Sequence, residues 1–422
     1  MEKLKVMVVV GTRPEIIRLS EVIKAIDKYF ELILVHTGQN YDYTLNQVFF
    51  EEFGLREPDY YLSSPGKHLG ETVGNIISKS YEVISEVKPD ALLVLGDTNS
   101  CLAAYSAKRL KVPIFHMEAG NRCFDFNVPE EINRRVVDHV SDVNLAYTEN
   151  ARRYLINEGI KNDFLYVTGS PMAEVLYKNM DDIDKCDILN RLGLKRYDYF
   201  VVSAHREENI DIDENFDELV NSLNKVAEKY KKKIIFSTHP RTAKKIKEKK
   251  VKFNKLITNM EPMGFFEYVN LQKNAYCVLS DSGTIPEESA VLNFPGVSMR
   301  NSTERPEALD AGSIVLGSVR ERDLLNAIEL AVNSHVENRE NPVRDYRDTN
   351  VSLKVVNIIQ SYYNIINERT WKKVKLNSEA SNEVSSNKES KLEKMLNKVD
   401  INNMSPVDAL NFLNDLKSNV KE

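Results

Sequence analysis

Cysteine is scarce in this chain. Only Cys101, Cys123, Cys186 and Cys277 occur, and none falls in a C-x-x-C spacing. That excludes a disulfide framework and a cysteine zinc site and fits a reducing compartment, so a cytoplasmic location is expected. Long apolar runs are missing too. A membrane-spanning helix needs ~20 consecutive apolar residues, and no stretch approaches that. No signal peptide is read at the start, where Lys3 and Lys5 lead at once into a short strand-like run ending at Gly11. Positive charge is not in excess: 57 Lys and Arg stand against 63 Asp and Glu, for a formal net charge of −6. Nucleic-acid-binding surfaces show a basic stripe, so neither a nucleic acid nor a membrane is expected as a partner. The basic cluster Arg241 to Phe253 reads as the solvated face of a helix.

What is present is 422 residues of ordinary globular composition, 42% apolar and 28% charged, enough for two or three domains. Short β-rich runs alternate with longer helical patterns. The first half carries Lys5–Gly11, Leu32–Gly38, Ala91–Asp97, Val112–Gly120, Val143–Glu149 and Phe164–Pro171. The pattern restarts with Phe200–His205, Ile234–Pro240, Cys277–Gly283, Gly296–Arg300 and Ser313–Gly317. Most runs are continuously apolar rather than alternating, the mark of parallel strands buried on both faces. Segments such as Thr72–Val87 supply helical crossovers. The expected fold class is α/β, with two Rossmann-like parallel-sheet domains facing each other over a cleft. The boundary is placed between Pro171 and Tyr197, giving domains 1–172 and 173–350. A closing helix (351–374), a serine-rich flexible linker (375–390) and a helical appendage (391–422) complete the expected organisation.

Ligands of such sheets bind outside the carboxyl ends of the strands, and there the polar residues of this chain gather. The first run ends in Gly11-Thr12-Arg13-Pro14-Glu15, with Arg18 one turn later. A dinucleotide-binding turn would be richer in glycine. Gly11 is read as letting the turn pass close to a ligand, Arg13 as a charged bidentate donor, Pro14 as a helix start and Glu15 as a first-turn acid complementing the helix dipole. Other tips supply Asp97, then His116, Glu118 and Arg122, then Glu130, Glu131, Asn133 and Arg134. The second half adds His205, Arg206 and Glu207, His239 and Arg241, Ser282, Gly283, Glu287 and Glu288, and Arg305 and Glu307. Any one of these has a structural reading as a cap or a buried partner. Together they imply phosphates held by Arg13, His205 and the Ser282-Gly283 helix start, a ribose on Glu288, and a reacting carbon flanked by Asp97, Glu118 and Glu130.

The motifs GTRPEIIRL, GDTNS, HMEAGNR, PEEINRR, AHREEN, DSGTIPEE and TERPEA occur in this order between Val6 and about Trp371. In them the chain resembles the non-hydrolysing UDP-N-acetylglucosamine 2-epimerase family. The resemblance implies the two-domain GT-B fold, C2 epimerisation of a UDP-2-acetamido sugar, a homo-oligomer, and no metal or other cofactor. It implies Asp97, Glu118, Glu130 and His205 as catalytic groups. Arg13, Arg18, Arg134, His239, Ser282, Gly283, Thr284, Glu288 and Arg305 are implied as substrate-binding groups. VHTGQNYDYTLNQVFF, GNRCFDFNVPEEINRRVVDH and SAHREENID look closest to the branch that converts UDP-2-acetamido-2,6-dideoxy-L-talose to UDP-N-acetyl-L-fucosamine for capsule or O-antigen. Two positions depart from the familiar 2-epimerases: Arg18 replaces a lysine, and Gln39-Asn40-Tyr41 replaces Q-H-R. The alternatives are a UDP-GlcNAc/UDP-ManNAc 2-epimerase, a glycosyltransferase on the same fold and a non-catalytic UDP-sugar sensor; intact Asp97, Glu118, Glu130 and His205 speak against the last.

The C-terminal stretch differs. Ser405, Pro406 and Asp408 make a helix start, and Leu410, Leu413, Leu416 and Val420 share one helical stripe that calls for a partner. Val399–Val420 resembles the short C-terminal helical oligomerisation segment of the MutS mismatch-repair ATPases, without any ATPase motif. An added oligomer contact is the expectation.

Overall fold

The computed structural model describes residues 3–38 and 47–373 and, near the C-terminus, 408, 409 and 411–413. The chain falls into a unit Met1–Thr370 and a unit Trp371–Glu422. In the second, Asp408, Ala409 and Asn411 to Leu413 are helical. The proposed linker and the other residues of the leucine stripe lie outside the described residues, as does Gln39 to Tyr41.

The larger unit holds two sheets, and every strand pairing in both is parallel. The first contains β1 (Lys5–Val10), β2 (Glu31–His36), β3 (Tyr60–Tyr61), β4 (Ala91–Leu95), β5 (Ile114–Ala119), β6 (Val143–Ala146) and β7 (Leu165–Val167). Their spatial order is β3-β2-β1-β4-β5-β6-β7. The second contains β8 (Tyr199–Ser203), β9 (Lys233–Ser237), β10 (Ile257–Met260), β11 (Cys277–Ser280), β12 (Gly296–Met299) and β13 (Val315–Gly317), ordered β10-β9-β8-β11-β12-β13. Each is a doubly wound sheet of the Rossmann type. Strand order reverses between β1 and β4 and between β8 and β11, the two switch points where such sheets bind ligands.

The composition of the central strands explains their position. Val6 to Val10 and Ala91 to Leu95 are buried throughout, as a strand covered by helices on both faces requires. The second sheet is covered by the helices Asp213–Tyr230, through Phe216, Leu219, Leu223 and Val226, and Glu321–Asn333, through Leu324 and Ile328. Burying each such side chain contributes about 1.5–3 kcal/mol. Two edge strands, β3 and β10, were not read from the sequence. One has only two residues, and in the other every residue is partly exposed, so neither leaves an apolar run.

The chain returns to its beginning. The helix Val351–Arg369 packs on the helix Arg13–Tyr29. Its first turn is pinned by Glu174, which accepts from the Ser352 N–H at 2.7 Å and the Ser352 hydroxyl at 2.5 Å. The helix Met172–Lys178, which carries Glu174, packs on both Arg13–Tyr29 and Ile285–Leu292 and so links the two sheet layers. Among the described residues no helix is long and apolar enough to cross a membrane.

Candidate active site

The strand tips at the two switch points line one cleft of about 820 Å³, and all thirteen residues singled out above as catalytic or substrate-binding lie along its wall. At the β1 tip Glu15 turns back on the backbone. Its carboxylate accepts from the Gly11 N–H (3.0 Å), the Thr12 N–H (2.7 Å), the Thr12 hydroxyl (2.8 Å), Thr98 Oγ1 (2.9 Å) and Ser100 Oγ (2.5 Å). Glu15 therefore does more than complement a helix dipole: it ties the β1 tip to the β4 tip. Burial pushes its carboxyl up against the pull of these hydrogen bonds. The expectation for Gly11 also needs correction. A Cβ there would collide with Thr37 Oγ1 and come within 3.1 Å of Ser100 Oγ, so protein rather than ligand fills the space the glycine leaves.

Arg13 points into the cleft. Its guanidinium stands 6.0 Å from the Phe49 ring centroid and has no hydrogen bond or ion pair to a described residue. Burial pushes it down from its ordinary value, with Tyr268 and Glu288 opposing. It is a cation in want of an anion.

The three acidic candidates stand in three different settings. Asp97 accepts from Arg134 Nε (2.8 Å) and pairs with Arg134 Nη2 (2.6 Å). Glu130, in the first turn of the helix Pro129–Val140, is half-buried and makes no hydrogen bond or ion pair with a described residue. Glu118 sits at a bulge, where the pairing of β5 with β6 shifts between Met117 and Ala119, and its φ is +64°. A non-glycine residue holds that conformation only when its surroundings impose it. Here they do: Arg18 is ion-paired with Oε2, while Oε1 accepts from Arg305 Nη2 (2.7 Å) and Asn121 Nδ2 (3.2 Å). Burial alone would push this carboxyl up, but the two guanidinium groups hold it below the usual carboxylate range.

On the opposite wall His205 is organised by Asp281, a fully buried residue whose role the sequence reading missed. The Asp281 carboxylate accepts from the backbone N–H groups of His205 and Arg206 at 3.0 Å and from Asn209 Nδ2 at 3.1 Å. His205 Nδ1 faces the same carboxylate at 3.2 Å. A proton on Nδ1 leaves Nε2 free for a ligand in the cleft. Burial pushes the His205 imidazole down, Asp281 opposes, and Arg13 and Arg206 add to the depression. His239 caps the helix Pro240–Glu248 by accepting from the Arg241 N–H at 3.3 Å, with its ring 6.1 Å from that of His205. Burial, with His205, Arg13 and Arg241 adding to it, pushes it down to about 4.

Ser282, Gly283 and Thr284 precede the helix Ile285–Leu292, and Ser282 Oγ accepts from the Thr284 N–H at 3.3 Å. The free N–H groups of such a helix start favour an anion. Glu288 follows one turn later. Its oxygens already accept from Thr284 Oγ1 (2.7 Å) and Gln272 Nε2 (2.6 Å), so a sugar hydroxyl has to share or displace these donors. Burial pushes the Glu288 carboxyl up. Arg305 reaches from this half to Glu118 in the other and is braced by Glu287 Oε1 at 2.6 Å; Ser170 donates to the second Glu287 oxygen.

Sequence reasoning also passed over Glu304, which lines the cleft between Arg300 (2.7 Å) and Arg206 (3.9 Å). Burial opposes its charge, but Arg300, Arg134, Arg206 and Arg305 outweigh that and hold the carboxyl far below the usual range. Conversely, His116, Arg122 and Glu131 were singled out at strand tips yet are buried behind the wall. No three His, Cys, Asp or Glu side chains among the described residues converge as metal ligands would.

The UDP-N-acetylglucosamine 2-epimerase family model matches residues 24–360. A Methanococcus maripaludis protein named UDP-N-acetylglucosamine 2-epimerase is 38% identical over 366 residues, 84% of this chain and 98% of that protein. The solved UDP-N-acetylglucosamine 2-epimerase of Rickettsia bellii is 46% identical with a TM-score of 0.82, covering 88% of this chain and all (100%) of that one. The Methanocaldococcus jannaschii enzyme, solved in complex with UDP-GlcNAc and UDP, is 36% identical with a TM-score of 0.80, covering 85% and 100%. With these likenesses running through both sheets and the cleft between them, the chain belongs to the non-hydrolysing UDP-N-acetylglucosamine 2-epimerase family.

Proposed function

We propose that this protein inverts C2 of a UDP-2-acetamido sugar by eliminating and re-adding UDP. The observation that carries the reading is the single cleft with opposed walls. One wall bears Asp97, Glu118 and Glu130, and the other bears His205 and the Ser282-Gly283-Thr284 helix start; Arg13, with no ion pair among the described residues, lines the same cleft. C2 of such a sugar has no adjacent carbonyl, so its proton is only weakly acidic, and direct removal would ask for too much stabilisation. Elimination avoids this. A carboxylate takes the C2 proton, the C1–O bond breaks, and UDP leaves with the bonding pair to give a 2-acetamidoglycal. A proton then returns to the opposite face of C2 and UDP re-adds at C1. Two faces of one carbon call for more than one acid/base group, which the separate settings of Asp97 and Glu130 supply. Arg13 and His205 stabilise the charge that develops on the departing diphosphate. Glu118, held ionised between two arginines, is suited to placing charge more than to carrying a proton.

The sugar proposed is UDP-2-acetamido-2,6-dideoxy-L-talose, giving UDP-N-acetyl-L-fucosamine for a surface polysaccharide. Support comes from the branch-like stretches around Cys123 and His205 and from Arg18 in place of lysine. A second reading, UDP-GlcNAc to UDP-ManNAc, is favoured by the names of the relatives above. Incubating the purified protein with each nucleotide sugar and following C2 by NMR decides between them. Turnover of the L-talo compound with none of UDP-GlcNAc supports the first reading, and the reverse supports the second. A homo-oligomer belongs to the same proposal, and light scattering on the full chain tests it.

A further inference from the structure

Behind the cleft wall, His116 lies in β5 with 1% of its surface exposed, and both of its ring nitrogens face acceptors. Nε2 stands 2.8 Å from the Gly96 carbonyl oxygen, and Nδ1 stands 2.9 Å from Asp138 Oδ1. The second contact is within ion-pair distance of the carboxylate but is not an aligned hydrogen bond. A carbonyl and a carboxylate only accept, so a neutral ring would set a bare nitrogen lone pair against one of them. An imidazolium offers each a proton.

Gly96 is where this matters. It precedes Asp97, its φ is +73°, and a Cβ on it would stand 3.0 Å from Glu118 Oε2. A glycine at a positive φ has no side chain to fix it and is the pliable point of the turn. Its N–H is held by the Met117 carbonyl at 3.0 Å, and its own carbonyl is held by His116.

Asp138 also connects His116 to the other side of Asp97. From Asp138 the charges alternate through Arg122 (2.7 Å), Glu158 (2.6 Å), Arg135 (3.0 Å), Glu131 (3.1 Å) and Arg134 (3.1 Å) to Asp97 (2.6 Å). With His116 cationic, every neighbour along this chain has the opposite sign, and the Gly96 carbonyl on His116 Nε2 leads its far end back to Asp97 through the backbone. We propose that His116 is a positioning residue held as an imidazolium, fixing the Gly96–Asp97 turn against Glu118 while the chain of ion pairs fixes the Asp97 carboxylate. The inference rests on the reading of Asp97 as an acid/base group.

The groups around the imidazole are Asp138 from the helix Pro129–Val140, with Arg122 behind it, and Glu118 on its own strand; Cys101 faces Asp138, and burial pushes its thiol far up. Burial opposes charge on His116, but Asp138 and the Gly96 carbonyl outweigh it and raise the ring above its ordinary value.

The test uses the full chain labelled with ¹⁵N-histidine. The His116 signals, identified by their loss in His116→Gln, should report both nitrogens still protonated at about pH 7, above the ordinary value of about 6.5. A neutral tautomer at about pH 7 would overturn the charge assignment. Glutamine keeps one donor for Gly96 but no charge. Since a displacement of ~1 Å costs up to ~10²-fold in rate, His116→Gln should lose about tenfold or more in kcat with UDP affinity within about twofold of wild type. Wild-type kcat in that variant, or a UDP affinity that falls in step with kcat, overturns the positioning role. A wild-type protein unable to invert C2 of any UDP-2-acetamido sugar overturns the functional reading and the positioning role with it. The NMR result then still decides the charge of the ring.

Discussion

Arg305 Nη2 meets Glu118 Oε1 at 2.7 Å, and this buried pair joins the two halves of the cleft. Glu118 is bound on its other side by Arg18, and Arg305 by Glu287. The pair thus belongs to an alternating chain of charges with almost no access to solvent. Removing Arg305 leaves Glu287 buried without its cation and Glu118 with Arg18 alone, a cost of about 3–5 kcal/mol. Arg305→Met should lower the unfolding free energy by that order in urea titrations. A change below about 1 kcal/mol would mean that the pair is dispensable to the fold.

Glu118 and Glu130 should therefore fail in different ways. Glu130→Gln is expected to lose roughly 10²-fold or more in kcat, with UDP affinity and unfolding midpoint intact, because Glu130 has no described partner to strand. Asp97→Asn should lose at least as much. Glu118→Gln should lose both rate and stability, since it leaves Arg18 without its anion and Arg305 with Glu287 alone. Near wild-type turnover in Asp97→Asn and Glu130→Gln together would remove them from the chemistry.

His205 makes UDP binding pH-dependent. Burial holds its imidazole below the ordinary value, so the free protein carries it neutral at neutral pH. A diphosphate favours the protonated form. UDP affinity should then rise as pH falls from about 7.5 to about 5.5, with protons taken up on binding. Asp281→Asn removes the charge that supports the imidazolium and should move this rise to lower pH. A wild-type dissociation constant that does not change over this range contradicts the assignment, as does an unchanged profile in Asp281→Asn.

Arg18 offers a test of sugar choice. Its guanidinium is buried against Glu118 and donates from Nε to the Pro14 carbonyl at 3.3 Å, while lining the cleft. Arg18→Lys keeps the charge and loses the planar donor set. If Arg18 reads the sugar, kcat/KM for the L-talo and gluco nucleotides should change unequally. An equal loss on both would leave it a role in holding Glu118 alone.

Much of this was legible in the sequence because apolar runs and their polar ends are local. The alternation of strand and helix, the restart after Tyr197 and the grouping of polar residues at strand tips needed only neighbours in the chain. What stayed hidden was partnership. Nothing in the spacing says that Arg305 meets Glu118, 187 positions away, or that Asp281 holds His205, 76 positions away. Glu15 could be read as an acid in a helix's first turn, but its bonds to Thr98 and Ser100 depend on β4 lying beside β1. His116, Arg122 and Glu131 looked like cleft residues because they belong to the same motifs, yet behind the wall Asp138 of the helix Pro129–Val140 engages His116 and Arg122, and Glu131 engages Arg134 and Arg135.

The elimination route is tested most directly by running the reaction in D₂O and examining C2 of the product. The abstracted proton rests on a carboxylate open to solvent before one returns to the other face, so the epimerised product should carry deuterium at C2. Prolonged incubation should also release some UDP together with free 2-acetamidoglycal, because the C1–O bond breaks in every cycle. Epimerised product with hydrogen retained at C2, or turnover that depends on added NAD, would contradict elimination and the roles given to Asp97, Glu130 and His205.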